Sequence, residues 1–534
     1  MSETYDVVVA GGGHNGLTVA CYLVKAGYNV CVVERNDKVG GGVISKELAA
    51  PGFISDPCST IHLLSQYSPL FQNDELGLRK NYGLKYIYPE VQMCIHFTDG
   101  TTMGIYRSLE KTCQSIAKYS EKDAESYRKF ALMAQAGATT IVQGFYSPAP
   151  SYGMFASMMD SSDEGRELLR FMMLSVQDVI DEWFEHPKVR IAFTRWISEI
   201  MVNPNTKGTG VMVFVMLGLA HMEPGGGLPI GGSGVLSEAM EKYIIDNGGT
   251  VKVNNEVVKI ITANGEAKGV RTKDGEEIYG TKMVVANLNP QLIFPKMVDA
   301  SDVPPEYQMK VDRLKHSFSA FNQSLALNEA PNWTVDDPDL SQAFLAEFAP
   351  CDPYEYKQYF NDYLEEGVIE PGRNVHYPLV SVQSVHDPSR APEGKHICYF
   401  YEYAPYSLAD GGSARWDEIR EQYAQGMLDF VKPWISNLDS SNIIGQYIQS
   451  PLDMERMNPS FVQGDFGGIA SYMEQFMGNR PIPGMPGGPY STPIDKLMIC
   501  GPSCHPGSGA SCGGRAAAVA VLEALGRDMD DIVS

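Results

Sequence analysis

The stretch "YDVVVAGGGHNGLTVACYLVKAGYNVCVVERND", Tyr5 to Asp37, constrains the fold more than any other part of this chain. Asp6–Ala10 is a short, continuous apolar run of the kind that forms a strand buried on both faces. Gly11, Gly13 and Gly16 follow as G-x-G-x-x-G, with His14 and Asn15 between them. Leu17, Ala20, Cys21, Leu23 and Val24 then recur at helical spacing up to Gly27, a C-terminal stop. A second apolar run, Val30–Val33, ends in Glu34 and Arg35. Each glycine has a mechanical reason: Gly11 for the tight turn, Gly13 for backbone approach to a pyrophosphate, Gly16 for close packing of helix on strand. The helix amino terminus offers free N–H groups and the positive end of its dipole to phosphates. Glu34 is placed to accept both hydroxyls of an adenosine ribose and would repel a 2′-phosphate, which disfavours NADP. The block reads as a dinucleotide-binding βαβ unit.

Two more segments follow the same style. "PIGGSGVLSEAMEKYIIDNGGTVKVNNEVVKIITANGEAKGVRTKDGEEIYGTKMVVANLNP", Pro229 to Pro290, opens on a glycine-rich turn and an amphipathic helix. Asn264-Gly265 and Asp274-Gly275 then mark hairpin turns, and the buried run Met283–Ala286 leads into Asn287. Near the end, "CGPSCHPGSGASCGGRAAAVAVLEAL" places a glycine-rich loop before an alanine-rich helix, with Ser511 as an N-cap candidate. Cys500, Cys504 and Cys512 lack a second ligand pair at metal-binding spacing, so no metal site is expected.

With Gly40, Gly41, Gly42 and Val43 just after the second strand, the chain resembles FAD enzymes of the glutathione-reductase superfamily. The order of the three blocks is similar to the phytoene desaturase family of FAD-dependent oxidoreductases, and within it to the branch of pyridine nucleotide-disulphide oxidoreductase domain-containing protein 2. The resemblance implies an α/β fold with a discontinuous Rossmann-type FAD-binding domain (1–75, 225–292 and 488–534). A second, α+β substrate domain would be built from 76–224 and 293–487. It implies noncovalent FAD, with Val257 against the adenine and Asn287 near the flavin wall. It also implies that the loop of Gly501, Pro506, Gly507, Gly509 and Cys512 runs beneath the isoalloxazine. His505 in that loop is the leading acid/base candidate, and His221 the second. Cys58 and His62 lie where the chain leaves the first block, within reach of the ring.

The chain also departs from relatives in two places. Pro502 stands where many superfamily members have an acid. Gly42 stands where an arginine is common, which argues against amine-oxidase-type membership.

Composition narrows the partners. Lys+Arg 42 against Asp+Glu 65, a formal net charge of −23, argues against nucleic acid. The most apolar stretch, Val211–Ala220, falls short of the roughly 20 residues a membrane-spanning helix needs and reads as a buried helix, so only peripheral membrane contact is open. A strand-like start at Tyr5 leaves no secretory leader, and ten cysteines without a C-x-x-C suit reduced thiols in the cytoplasm. "FYSPAPSYGMFASMMD", "FMML" and "YEYAPY" are soft and aromatic, and suit an apolar substrate pocket. The expected function is an FAD-dependent dehydrogenase, desaturase or oxidase acting on C–C or C–N bonds of an apolar, conjugated or cyclic small molecule. Its electron acceptor would be a quinone, oxygen or NAD(P), and a homo-oligomer is open. A redox-neutral isomerase or hydratase, and a non-catalytic protein of the GDP-dissociation-inhibitor type, stand as alternatives.

Overall fold

A computed structural model describes residues 3–335, 337–369 and 376–534. Two seven-stranded sheets organise the chain. In the first, Glu3–Ala10 lies between Val30–Val33 and Glu277–Ala286, all parallel, with Thr250–Lys252 beyond Val30–Val33. Leu497–Ile499 adds in parallel to the far end of Glu277–Ala286. The central run Val7–Ala10 is fully buried because helices cover both faces, which is why it reads as continuously apolar rather than alternating.

The two sequence-marked turns sit at the edge of this sheet. Asn264 and Gly265 both take positive φ (54° and 77°), the two-residue hairpin geometry that Asn-Gly favours. Gly275 alone is left-handed in the second turn (φ 87°), which joins Glu266–Thr272 to Glu277–Ala286. The helix His14–Lys25 packs its buried face on the sheet and on the C-terminal helix Cys512–Ala524.

The second sheet runs Ile443–Gln449, Ser319–Leu327, His396–Ala404, Leu379–Ser381, Leu345–Ala349, Val91–Phe97, Thr102–Tyr106. All pairs are antiparallel except Leu345–Ala349 with Val91–Phe97. Helices Glu121–Gly144, Pro187–Ile197 and Val211–Leu219 share its core. Val211–Leu219 is apolar on nearly every side because it is buried among helices.

The expected boundaries shift in two places. Ile293–Leu314 packs into the core of the first sheet, past the boundary at 292. Ile469, Ile482 and Tyr490 do so as well, two of them before 488. The chain crosses between the sheets gradually, because apolar side chains on the linking helices are buried wherever the nearer core admits them.

One buried ion cluster ties three separate segments together. Arg390 is fully buried and donates to Asp56, to Asp387 (3.2 Å) and to the Pro229 carbonyl (2.9 Å). Asp56 also accepts from the Ser233 N–H (3.1 Å), and Asp387 from the Gly231 N–H (2.7 Å). Replacing Arg390 by leucine strands two buried carboxylates without a counter-charge. The Arg390→Leu variant is expected to lose about 3–5 kcal/mol of stability, read by chemical denaturation.

Candidate functional site

The two glycine turns of the first block dock on each other, backbone to backbone. Gly40 N–H donates to the Gly12 carbonyl (2.8 Å) and His14 N–H to the Gly40 carbonyl (3.2 Å). Approach this close leaves no room for side chains. A Cβ on Gly41 would sit 3.0 Å from the Gly13 Cα, and one on Gly16 would sit 2.6 Å from the Gly11 carbonyl oxygen. Asn287, just past the strand Glu277–Ala286, braces the turn from the other side. Its amide donates to the Gly11 and Gly13 carbonyls, each at 3.2 Å.

These turns form one wall of a cavity of about 530 Å³. Gly11, Gly13, His14, Asn15 and Asn287 line it beside Gly41, Gly42 and Val43. One side carries Glu34, Arg35, Glu256, Val257 and Lys296. Glu34 is nearly buried, and its carboxylate accepts from Gly12 N–H (2.8 Å) and Asn36 N–H (2.9 Å); burial raises its pKa. The lining also includes the apolar Leu64, Phe145, Ile200, Met212, Met216 and Phe476, together with Glu199.

The C-terminal loop closes the cavity, though not as the resemblance implied. Pro502, Ser503, Pro506, Ser508, Gly509 and Ala510 line it, whereas Gly501, Gly507, Ser511 and Cys512 do not. A Cβ on Gly501 would lie 2.7 Å from Asn287 Oδ1, and one on Gly507 would lie 3.3 Å from the Arg480 guanidinium carbon. Gly507 is therefore glycine for its left-handed φ of 112° and for this arginine. Gly16 and Gly40 likewise serve backbone packing behind the wall. Ser511 occupies the N-cap position but makes no cap bond, being left-handed itself (φ 63°). Its N–H donates to His14 Nδ1 (2.8 Å), and Gly514 N–H donates to Asn15 Oδ1 (2.8 Å). The amino ends of the helices His14–Lys25 and Cys512–Ala524 thus meet at the cavity.

Neither candidate acid/base histidine lines the cavity. His505 is buried, and its Nε2–H donates to the Gly144 carbonyl (2.9 Å). Its ring packs edge-on to Phe145, and burial lowers its pKa to about 4. His221 is held by Tyr127 (2.7 Å) and the Arg107 carbonyl (3.0 Å). The histidines that do line it are His14 and His62, with pKa values lowered by burial to about 4 and about 3. His62 is fixed between the Tyr86 hydroxyl (2.9 Å) and Ser233 (3.3 Å). Cys58 lines the cavity as a neutral thiol, pushed up to about 12 by burial, and burial does the same to Cys504 and Cys512. No group of three His, Cys, Asp or Glu able to hold a metal occurs among the described residues.

Of the soft segments, Phe145 reaches the cavity, Met154 and Met158 are exposed, and Phe171, Tyr401 and Tyr403 belong to the second core. Sequence reading missed Glu199 and the stretch Asn458–Phe461, for which no local pattern exists. Met212 and Met216, one helical turn apart in the most apolar run, did carry a signal: one face of a buried helix with two adaptable side chains.

Arg480 holds the closing loop. It is fully buried, with no carboxylate in ion-pair range among the described residues, and burial lowers its pKa to about 10. Its fork donates to six carbonyls: Pro502 and Cys504 in the loop, and Gly467, Ile469, Ala470 and Gln475 opposite. An unsatisfied buried acceptor costs about 1–3 kcal/mol. Arg480→Met is therefore expected to lose at least about 3 kcal/mol by denaturant titration, and Arg480→Lys, which lacks the planar fork, to recover only part.

The model of the flavin-containing amine oxidoreductase family matches residues 16–402. The chain is 27% identical to a limonene dehydrogenase component of Castellaniella defragrans, over 95% of this chain and 92% of that protein. It is 26% identical to pyridine nucleotide-disulfide oxidoreductase domain-containing protein 2 of Rattus norvegicus (100% and 94%). It is 24% identical to the lycopene-forming phytoene desaturase of Pseudescherichia vulneris (94% and 95%). A solved oxidoreductase from Methanosarcina mazei shares the fold at a TM-score of 0.60 and 18% identity, covering 97% of this chain and 99% of that one. The family match overturns the expectation drawn from Gly42. That residue is glycine because Phe461 fills the space beside it, 3.1 Å from where a Cβ would stand. The chain belongs to the flavin-containing amine oxidoreductase family and is an FAD-dependent oxidoreductase.

Proposed function

We propose that this cavity is both the FAD site and the substrate chamber, and that the protein dehydrogenates an apolar, cyclic or conjugated small molecule at a C–C or C–N bond. The observation that carries the reading is the continuity of the cavity. One volume runs from Glu34 and the glycine turns to the wall of Phe145, Met212 and Met216. In this reading residues 1–75, 225–292 and 488–534, with the helices that join their core, hold the cofactor. The remaining segments shape the chamber.

The residues present fit FAD. Gly13 brings backbone to the cavity surface, and two helix amino ends favour the negative charge of a diphosphate. Glu34 retains lone pairs for ribose hydroxyls beyond the two N–H bonds it accepts. When bound, the flavin supplies a two-electron acceptor. His14 accepts a backbone N–H at Nδ1, so its proton sits on Nε2, a fixed donor at the cavity. The apolar wall excludes water from the chamber. The names of the similar proteins, a limonene dehydrogenase and a phytoene desaturase, support an apolar substrate. No helix among the described residues is long and apolar enough to cross a membrane.

Anaerobic mixing of the yellow holoprotein with a panel of cyclic and conjugated hydrocarbons, alcohols and amines tests the reaction. At least one member is expected to bleach the oxidised-flavin absorbance, and the bleaching to persist until an acceptor is added. Product formed without lasting bleaching would indicate redox-neutral chemistry instead, and overturn the dehydrogenase reading.

Cofactor placement has its own test. Gly13→Val, whose Cβ would meet the Asn287 amide at 2.8 Å, should purify without flavin while keeping its far-UV spectrum. Glu34→Ala should bind FAD more weakly by roughly 1.5–3 kcal/mol. Gly509→Val should lower flavin occupancy, whereas Gly507→Val should chiefly lower stability, since it strikes Arg480. Full occupancy in both Gly13→Val and Gly509→Val would place the cofactor elsewhere.

A further inference from the structure

At the apolar side of the cavity one carboxylate is held in an unusual way. Glu199 sits in a single 3-10 turn, Ser198–Ile200, after the helix Pro187–Ile197. Met201 then turns left-handed (φ 62°), and its carbonyl is pinned by the Phe318 N–H (3.0 Å). Only one carboxylate oxygen is engaged. Oε1 accepts from Arg195 Nη1 (2.9 Å) and from the Tyr403 hydroxyl (2.8 Å). Arg195 is itself fully buried and stacks on the Tyr403 ring, 4.6 Å from guanidinium carbon to centroid. Oε2 makes no hydrogen bond among the described residues, and Glu199 keeps a quarter of its side chain exposed on the cavity wall.

The surroundings give that free oxygen its meaning. The other charged residues lining the cavity (Glu34, Arg35, Glu256 and Lys296) lie on elements of the first sheet and its core, whereas Glu199 follows a helix of the second core. Ile200, Met212 and Met216 line the cavity too and belong to the same core as the helix before Glu199. A chamber of this type binds mainly by apolar contact, with a few polar groups fixing orientation. We propose that Glu199 is the specificity-determining residue of the chamber, and that its Oε2 accepts a hydrogen bond from a hydroxyl group on an otherwise apolar substrate. This rests on the reading of the cavity as the substrate chamber.

A hydroxyl suits the electrostatics better than an ammonium. Arg195 already balances the Glu199 charge at hydrogen-bond distance. The second carboxyl near Arg195, Glu347, is fully buried 3.8 Å away with neither oxygen hydrogen-bonded. Burial pushes its pKa up, against the pull of the Arg195 guanidinium. Arg195 and Glu199 form a pair without net charge. An incoming cation would lose its hydration without an uncompensated partner. A neutral donor needs only the open lone pairs. A bare hydrocarbon would leave the carboxylate oxygen facing apolar surface, an arrangement that sites with committed polar groups reject strongly.

Four probes on one carbon skeleton test this: methylcyclohexane, cyclohexylmethanol, cyclohexanecarbaldehyde and cyclohexylmethylamine. Each is titrated into the holoenzyme at pH 7, with perturbation of the bound-flavin absorbance giving Kd. The wild type is expected to bind the alcohol at least tenfold tighter than the hydrocarbon and the aldehyde, and no weaker than the amine. Glu199→Leu should bring alcohol and hydrocarbon within about twofold. Because that variant leaves Arg195 without its carboxylate, Glu199→Gln is the second arm. Its carbonyl stays on Arg195 and Tyr403, turning an NH2 donor into the chamber, so the preference should shift from alcohol towards aldehyde. A wild type with no preference for the alcohol, a tighter amine, or an alcohol-to-aldehyde ratio unchanged in Glu199→Gln would each overturn the proposal. Flavin reduction is scored separately. If no probe or panel compound reduces the flavin, the proposed reaction fails, while a Glu199-dependent alcohol preference would still stand.

Discussion

Ser511 and Gly514 donate their backbone N–H groups to the side chains of His14 and Asn15, each at 2.8 Å, across nearly the whole length of the chain. Most of the cavity depends on this junction. The first N–H groups of a helix have no partner within the helix. Here the opening residues of one helix satisfy those of another, so both helices begin at the same place and both dipoles point into the same space. Contact at this range leaves no room at Gly514, where a Cβ would stand 2.6 Å from Thr18 and 2.8 Å from the Asn15 carbonyl oxygen. It also fixes the tautomer of His14. Burial without a charged partner keeps that ring neutral, which makes it a permanent donor rather than a titrating group.

Three fully buried arginines hold the irregular segments that the sheets cannot reach. Each meets the loss of water differently. Arg390 pairs with two aspartates and joins three segments. Arg480 finds only carbonyls, and so fastens the closing loop to the segment facing it. Arg195 is incompletely satisfied: its Nε and Nη2 lack partners, and it stacks on Tyr403 while holding one oxygen of Glu199. The first two arrangements are structural, since all that they hold is backbone or fully paired. The third leaves an acceptor open towards the cavity, which is why a specificity role falls there.

Much of the first sheet was legible because its signals are local. A four-residue apolar run, Val7–Ala10, three glycines and a terminal acid are each read within one turn or one strand, and the hairpin turns at Asn264 and Gly275 lie where their residues demand. The second sheet gave little away. Its strands Ser319–Leu327 and His396–Ala404 are buried on both faces and pair across intervals of dozens of residues, so no short-range alternation marks them. The same limit explains the histidines. That His505 belongs to the closing loop is evident from its neighbours; which way its ring points is set by Gly144 and Phe145, far away in sequence.

The sequence alone determined that a dinucleotide-type turn, a second glycine turn and a C-terminal glycine loop lie in this order, since backbone conformation and close approach restrict those positions to glycine whatever else surrounds them. It also determined the apolar helix Val211–Leu219, because nothing but burial accommodates that composition. Only the tertiary structure decided which glycines face the cavity and which face protein. Gly507 and Gly509 are two residues apart with the same left-handed backbone, yet one meets Arg480 and the other lines the cavity. It decided, too, that Glu199 lines the cavity. That selection depends on Arg195 one helical turn back, on Tyr403 from a distant strand and on a left-handed turn at Met201. The first of these is visible locally, but its consequence appears only when the other two arrive.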